Sequence, residues 1–153
     1  MQTGYYYDEL EIGQVLRSPR SIHVDRDRLI AFAAEFDPQP AHLSEEAAAS
    51  SQFGTLVASG WHTGSMTMRL TAETLIIANG GMGAGIEKLN WLRPVKPGDD
   101  LRIEITVKAK RPSQSRPERG LVTFHTVTFN QNDEPVYEVV ANVFLPRRPG
   151  APN

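Results

Sequence analysis

The sequence predicts an α+β fold in which an antiparallel sheet packs around one long, buried helix. The helix is predicted over residues 60–78, where apolar and small side chains dominate and only Arg69 and Glu73 are charged. After it, residues 101–110 alternate between apolar and polar side chains, which is typical of a strand with one solvated face. Three further apolar runs are separated by turn sequences and are predicted to join the same sheet. They cover residues 86–95, 121–130 and 135–145.

The composition is that of one ordinary globular domain. The 153 residues are 40% hydrophobic and 22% charged, and they are expected to form a single domain over residues 1–153. A net charge of −2 predicts neither nucleic-acid nor membrane binding, and the absence of cysteine excludes disulfides and thiolate chemistry. The N-terminus lacks the basic start and apolar run of a signal peptide, so a cytoplasmic protein is expected.

Shorter elements are predicted before the long helix. Residues 15–24 are predicted to form a strand that leaves His23 on the surface, and Asp25 is a plausible N-cap for a helix over residues 26–35. A second short helix is expected to start at Ser44. The three tyrosines at positions 5–7 are expected to cover an apolar surface.

Two segments rich in glycine or proline are predicted to be irregular. The run N-G-G-M-G-A-G at residues 79–85 lacks the G-x-G-x-x-G spacing and follows a helix, so it is interpreted as a helix C-cap and turn and not as a phosphate loop. The final residues, 146–153, read P-R-R-P-G-A-P-N and are expected to be a frayed tail.

The candidate chemistry lies between the two main helices. Asp37 and His42 are five positions apart, and Pro38 and Pro40 between them predict a stiff, irregular loop. Ser59-Gly60 then opens the long helix, whose N-terminus offers unpaired N–H groups and a partial positive charge. An acid, an imidazole and an anion-binding helix end suit reactions of a carbonyl compound that pass through an enolate.

These motifs resemble the MaoC-like dehydratase family, which includes the (R)-specific enoyl-CoA hydratases. That family carries an Asp-x-Asn-Pro-x-His loop, then a Phe-Gly and a His-Gly at the start of a long helix. Here Asp37 and His42 close a matching loop, and Phe53-Gly54 and Ser59-Gly60 follow at similar spacing. The resemblance runs over about residues 5–145 and implies the hotdog fold, which usually dimerises by joining sheets edge to edge. This chain departs from the family pattern at two positions, with Gln39 in place of Asn and Ser59 in place of His.

The resemblance implies a hydro-lyase that adds or removes water across the 2,3 double bond of an acyl thioester. Asp37 and His42 are expected to be the acid–base pair, and the backbone N–H near Gly60 is expected to hold the enolate oxygen. Ser59 and His62 are placed with Gly60 among the expected oxyanion or substrate-binding residues. The side chain of Ser59 is expected to be an N-cap, which matters more for stability than for turnover. Coenzyme A is expected only as part of the substrate, with no separate cofactor, and a homodimer is expected to bind an acyl-CoA or acyl-carrier thioester.

Other interpretations of the same residues remain open at the level of sequence. His62, in the first turn of the long helix, is a candidate pocket residue, although a structural hydrogen bond is the commoner role. No metal is expected, because Asp37, His42 and His62 lack the spacing of a known ligand set. A serine nucleophile at Ser59 or Ser65 is disfavoured, because there is no G-x-S-x-G motif.

One basic cluster also has two interpretations. It is either a solvated loop or a site for coenzyme A phosphates. Its members are Lys108, Lys110, Arg111, Arg116 and Arg119. The alternatives to a hydro-lyase are an acyl-CoA thioesterase and a non-catalytic acyl-thioester-binding subunit.

Overall fold

The computed structural model describes residues 4–152 and has an antiparallel sheet curved around one long helix. The helices are α1 (Arg26–Phe36), α2 (Glu45–Ala48) and α3 (Gly60–Thr74). The strands are β1 (Val15–Arg17), β2 (Ile22–His23), β3 (Met82–Trp91), β4 (Asp100–Pro112), β5 (Arg119–Phe129) and β6 (Pro135–Pro146). The α+β class and the long central helix are therefore confirmed.

The sheet has the order β1-β4-β5-β6-β3, with β2 pairing separately on β4. The strands pair in an antiparallel manner throughout, and β3 forms one edge of the sheet. The alternation predicted for residues 101–110 is real. From Leu101 to Val107, every second side chain of β4 is buried in the core, namely Leu101, Ile103, Ile105 and Val107.

The predicted strand over residues 15–24 is wrong in one respect, because it is broken into β1 and β2. Pro19 lies between them, and a proline has no N–H to donate to a ladder. Ser18 ends β1 by bonding Ile103 of β4 twice, through its own N–H to the carbonyl and through its hydroxyl to the amide. His23 is exposed as predicted, and its Nδ1 lies 2.9 Å from Asp100.

The long helix is shorter than its hydrophobic pattern predicted, ending at Thr74 and not at residue 78. The chain then runs extended, because Tyr5 donates its N–H to Ile76 and accepts a hydrogen bond from Ala78. Contacts with a remote segment therefore replace the last helical turn. The three tyrosines behave partly as expected: Tyr7 is buried in the core, and Tyr5 packs against it.

The glycine run is only partly a turn. Asn79 and Gly80 have positive φ values of 58° and 82°, as a turn after a helix requires. However, β3 already begins at Met82, so the prediction that residues 79–85 are irregular was wrong for 82–85. A register shift between Gly83 and Gly85 marks a bulge, where glycine is common in strands.

The chain after β6 is held against the N-terminal segment at its first residues. Arg147 donates two hydrogen bonds to Asp8, and its own N–H binds the carbonyl of Glu118. The frayed tail predicted for residues 146–153 therefore does not begin at Pro146, and fraying beyond Arg148 stays a prediction. Within residues 4–152, no helix combines the length and apolar character needed to cross a bilayer.

A polar cluster on the sheet surface centres on Glu138 of β6. Its carboxylate accepts hydrogen bonds from Asn90 and His125 and forms an ion pair with Lys88, at distances of 3.0 to 3.1 Å. These contacts lower the pKa of Glu138 to about 2. His125 therefore has a partner on the sheet surface, remote from the candidate chemistry.

Candidate active site

The loop between α1 and α2 is stiffened in the way its prolines predict. Asp37 is the C-cap of α1, donating its N–H to the carbonyl of Ala33 at 2.8 Å. The chain then forms a short 3₁₀ turn over Pro40–His42, which begins with a proline at the position that has no helical hydrogen bond to lose. This turn brings the side chain of His42 back toward Asp37.

Both oxygens of the Asp37 carboxylate are held by uncharged donors. Gln39 Nε2 donates to Oδ1 at 2.6 Å, and Ser59 Oγ donates to Oδ2 at 2.7 Å. These bonds, led by the one from Gln39, together with nearby His42, hold the pKa of the Asp37 carboxyl below its ordinary value. The two positions that depart from the family pattern therefore both bind the predicted catalytic acid.

His42 is oriented by a second hydrogen bond. Its Nδ1 lies 2.7 Å from the carbonyl oxygen of Val57, and a carbonyl only accepts, so Nδ1 carries the proton. In the neutral ring, Nε2 then has a free lone pair, and it faces Asp37 Oδ2 at 3.5 Å. Two acceptors face each other at a distance that one small donor, such as a water molecule, can bridge.

The N-terminus of α3 borders the same pair of residues. Ser59 is fully buried and caps the helix, accepting the N–H of Trp61 at 3.3 Å. Its hydroxyl also donates to Asp37, a contact that the expected role of Ser59 as an N-cap did not include. Gly60 follows as the first helical residue, and its N–H has no acceptor among residues 4–152.

These groups line one cleft with a volume of about 440 Å³, here called the Asp37 cleft. Its polar end contains Asp37, Gln39, His42 and Gly60, and its walls are apolar and aromatic. The walls are formed by Phe53, Val57, Ala58, Trp61, Trp91, Leu92, Pro94 and Val95. A polar reactive end beside an apolar channel suits an acyl group whose carbonyl is the reacting part.

The structure does not bring His62 into this cleft. Its ring stacks on Phe32 of α1 at 4.7 Å and borders a separate pocket with Arg28 and Arg69. Burial, and to a lesser degree Arg28, lower the pKa of His62. The hydrogen bond expected for this residue is also missing at Nδ1, which is buried without a partner among the described residues. Helical geometry explains this placement, since adjacent helix positions point about 100° apart.

The basic cluster of residues 108–119 does not border the cleft either. Lys110 donates to the carbonyls of Tyr7 and Leu10, and Arg119 lies over the ring of Phe144. A cation that the sequence reasoning missed, Arg93, does line the cleft and is anchored to Glu134. The segment W-L-R-P at residues 91–94 contains no motif that predicts a place in the cleft. Its position beside Gly60 depends on the pairing of β3 with β6, which the local sequence does not show.

A comparison with known families identifies the chain. The family model described as MaoC like domain matches residues 8–130. The chain belongs to the MaoC-like domain family. Among curated relatives, it is 33% identical to the uncharacterised protein YdeM of Bacillus subtilis over 141 residues, covering 92% of this chain and 98% of that one.

Several solved structures share the fold of this chain. A MaoC-like dehydratase from Rhodospirillum rubrum is 48% identical, with a TM-score of 0.90 over 95% of this chain and 99% of that one. The (R)-hydratase PhaJ1 of Pseudomonas aeruginosa is 31% identical, with a TM-score of 0.74 over 95% and 88%. A Mycobacterium tuberculosis protein with a double hotdog fold is 17% identical, with a TM-score of 0.82 over 98% and 46%. The predicted hotdog fold and family resemblance are thereby confirmed.

Proposed function

We propose that this MaoC-like protein is a hydro-lyase that adds water to, or removes it from, the 2,3 double bond of an acyl thioester. The observation that carries the proposal is the geometry of Asp37 and His42. An ionised carboxylate and an imidazole lone pair face each other at 3.5 Å, each fixed by further hydrogen bonds, at the polar end of an apolar cleft. The (R)-hydratase likeness supports the same class of reaction.

The reaction needs one water molecule and two proton transfers. In the hydration direction, water held between Asp37 Oδ2 and His42 Nε2 attacks the β-carbon, and its proton passes to the acid–base pair. The pair then delivers a proton to the α-carbon, so that hydroxyl and hydrogen are added across the double bond. Negative charge develops on the thioester oxygen between these steps, and the N–H of Gly60 at the start of α3 would stabilise it.

The substrate that fits is an enoyl or 3-hydroxyacyl thioester of coenzyme A or of an acyl carrier protein. The apolar walls of the Asp37 cleft would contact the acyl chain, and Arg93 places a positive charge at the cleft, where it would attract phosphate. Hydration changes no net oxidation state, so the proposed reaction uses no cofactor apart from the carrier of the acyl group.

The deciding experiment is hydration of a panel of trans-2-enoyl-CoA thioesters of increasing chain length, followed by loss of ultraviolet absorbance. Asp37→Asn and His42→Ala should each lower kcat by about a hundredfold or more, the usual size for a general acid or base. The matched controls are Asp25→Asn, which keeps a good N-cap, and His23→Ala on the surface; both should retain turnover. A wild-type protein inactive on the whole panel, or a fully active Asp37→Asn variant, would refute the proposal.

The same assays separate the two alternatives. A thioesterase would release free thiol from a saturated acyl-CoA, whereas a binding subunit would bind the thioester and turn over neither substrate. A serine hydrolase centred on Ser59 is disfavoured, because this side chain is 0% exposed and its hydroxyl binds Asp37 and not His42.

We also propose that the protein is a homodimer whose partner completes the site. The edge strand β3 offers unpaired backbone groups and exposes Met82 and Ile86, and an open apolar edge is a liability unless it is covered. An apolar groove of about 650 Å³ continues from β3 across to Met68 on α3. Light scattering should give about twice the 17.0 kDa chain mass, and Ile86→Arg should lower it. A concentration-independent monomer mass for the wild type would refute the dimer.

A further inference from the structure

The indole of Trp91 packs directly on Gly60, the residue that begins α3. A Cβ atom placed on Gly60 would lie 2.5 Å from Trp91 Cε2, 2.5 Å from Nε1 and 3.0 Å from Cδ1. These three are the indole nitrogen and the two carbons bonded to it. The Gly60 Cβ position is equally close to Nε1 and Cε2, so the ring meets the helix N-terminus at the bond between these two atoms.

The nitrogen atoms of two N–H donors are close enough together for one oxygen atom to bind both. A Cβ position lies about 2.5 Å from the nitrogen of its own residue in standard geometry. Since Nε1 lies 2.5 Å from the same position, the Gly60 nitrogen and the indole nitrogen are at most about 5 Å apart. Two donors that each bind one oxygen at about 2.9 Å are separated by less than about 5.8 Å. The upper bound of about 5 Å on the separation of the two nitrogens lies within this limit.

Neither donor has a partner among residues 4–152. No hydrogen bond from the Gly60 N–H or from Trp91 Nε1 is found within this part of the chain, and both residues line the Asp37 cleft. Trp91 keeps 47% of its surface exposed, so a ligand can approach the ring. An unpaired donor at a cleft wall is available to a ligand at no cost to the fold.

The ring is also held in place by its neighbours. It meets Trp61 edge to face, with centroids 5.1 Å apart at 88°, and lies 6.5 Å from the ring of Tyr137. The backbone of Trp91 pairs with Tyr137 of β6 at the end of β3. The sheet register therefore fixes the position of the Trp91 Cα atom, from which the side chain extends. Donors that stabilise a developing charge are effective only when they are held in this way before the reaction.

From this geometry we propose that Trp91 is a catalytic residue whose Nε1–H is the second donor to the thioester oxygen, beside the N–H of Gly60. The proposal rests on the proposed hydro-lyase function. As water adds to the β-carbon, electron density moves through the α-carbon to the thioester oxygen, and both N–H groups would bind that oxygen most strongly in the enolate. The indole N–H donates but does not accept, so it suits an anion.

The first test is Trp91→Phe, which keeps an aromatic ring and removes the N–H. Loss of one such donor should lower kcat by about a hundredfold or more, with KM changed by less than about threefold. The more exacting variant replaces Trp91 by the tryptophan analogue in which sulfur takes the place of the indole N–H, because ring shape is then preserved. That analogue should lose turnover to the same extent. A kcat within about threefold of wild type in the analogue would overturn the proposal.

A second measurement does not depend on turnover. The chain has two tryptophans, so an ¹⁵N-labelled protein shows two indole N–H signals, and Trp91→Phe assigns them. Addition of a 3-hydroxyacyl-CoA should move the Trp91 signal downfield, as expected for a new hydrogen bond to oxygen. A signal unchanged at saturation would contradict the assignment. If the wild type hydrates enoyl thioesters and Asp37→Asn does not, failure of the Trp91 tests refutes this inference alone; an inactive wild type refutes both.

Discussion

Substitution of Ser59 should affect both stability and turnover, because its hydroxyl caps helix α3 and also donates a hydrogen bond to Asp37. Ser59→Ala removes a 2.7 Å hydrogen bond to the Asp37 carboxylate and the cap on Trp61 N–H. A hydrogen bond to a charged group is worth about 1.5–3 kcal/mol. If this free energy stabilises the transition state by holding Asp37 in its reactive position, its loss should lower kcat/KM roughly 10- to 150-fold, at about 1.4 kcal/mol per factor of ten.

The lost cap should cost stability as well. An N-cap serine replaced by alanine costs about 1 kcal/mol, which corresponds to a fall in Tm of about 2–4 °C for a chain of this length. Ser44→Ala is the matched control, because Ser44 caps α2 through Ala47 and does not bind Asp37. The control should lose about 1 kcal/mol for its own cap and keep its turnover with an enoyl-CoA thioester.

The pKa of Asp37 provides an independent measurement. In the folded protein this pKa lies below its ordinary value, with Gln39 the largest cause and Ser59 the next. Removing the Ser59 donor should therefore raise the pKa of Asp37, which a ¹³C-carboxyl NMR titration would detect. If Ser59→Ala kept wild-type kcat/KM and an unchanged Asp37 pKa, the reasoning from this hydrogen bond would be refuted.

Three further predictions concern other parts of the molecule. Gly60→Val should abolish hydration and lower Tm, because its Cβ would lie 2.5 Å from Trp91; unchanged turnover would contradict the packing. His62→Phe should keep turnover and leave the free energy of unfolding equal or higher, because it removes a buried, unpartnered nitrogen and keeps the stacking on Phe32; a loss above about 1 kcal/mol in urea unfolding would contradict this. Glu138→Gln should lose stability at neutral pH. The pKa of Glu138 is about 2 in the folded protein and about 4.5 in the unfolded chain, so its contribution to stability is present above pH ~4.5 and is lost as pH falls toward 2. Plots of the free energy of unfolding against pH for wild type and variant should therefore converge near pH 2.

Local sequence determined the elements whose causes are local. The alternation in β4, the apolar stretch of α3 and the capping side chains of Asp25, Ser44 and Ser59 all lie where the sequence predicted them. The candidate pair was likewise visible, because Asp37 and His42 belong to one short loop whose prolines limit its conformations. The family resemblance rests on the same local motif.

Contacts between distant segments decided the rest. The end of α3 depends on Tyr5, about 70 positions away. A helix pattern alone could not show that His62 turns away from the cleft, because one residue changes the direction of a side chain by about 100°.

The candidate site also combines features that local sequence predicts with features that depend on contacts between distant segments. The sequence predicted the candidate acid–base pair and a helix N-terminus after it, because those features depend on residues close together in the chain. Only the tertiary structure decided that Ser59 holds Asp37, 22 positions away, and that Trp91 covers Gly60. The physical reason is that hydrogen bonds and ring packing act between atoms brought together in space, and sheet register, which no local pattern encodes, sets which atoms those are.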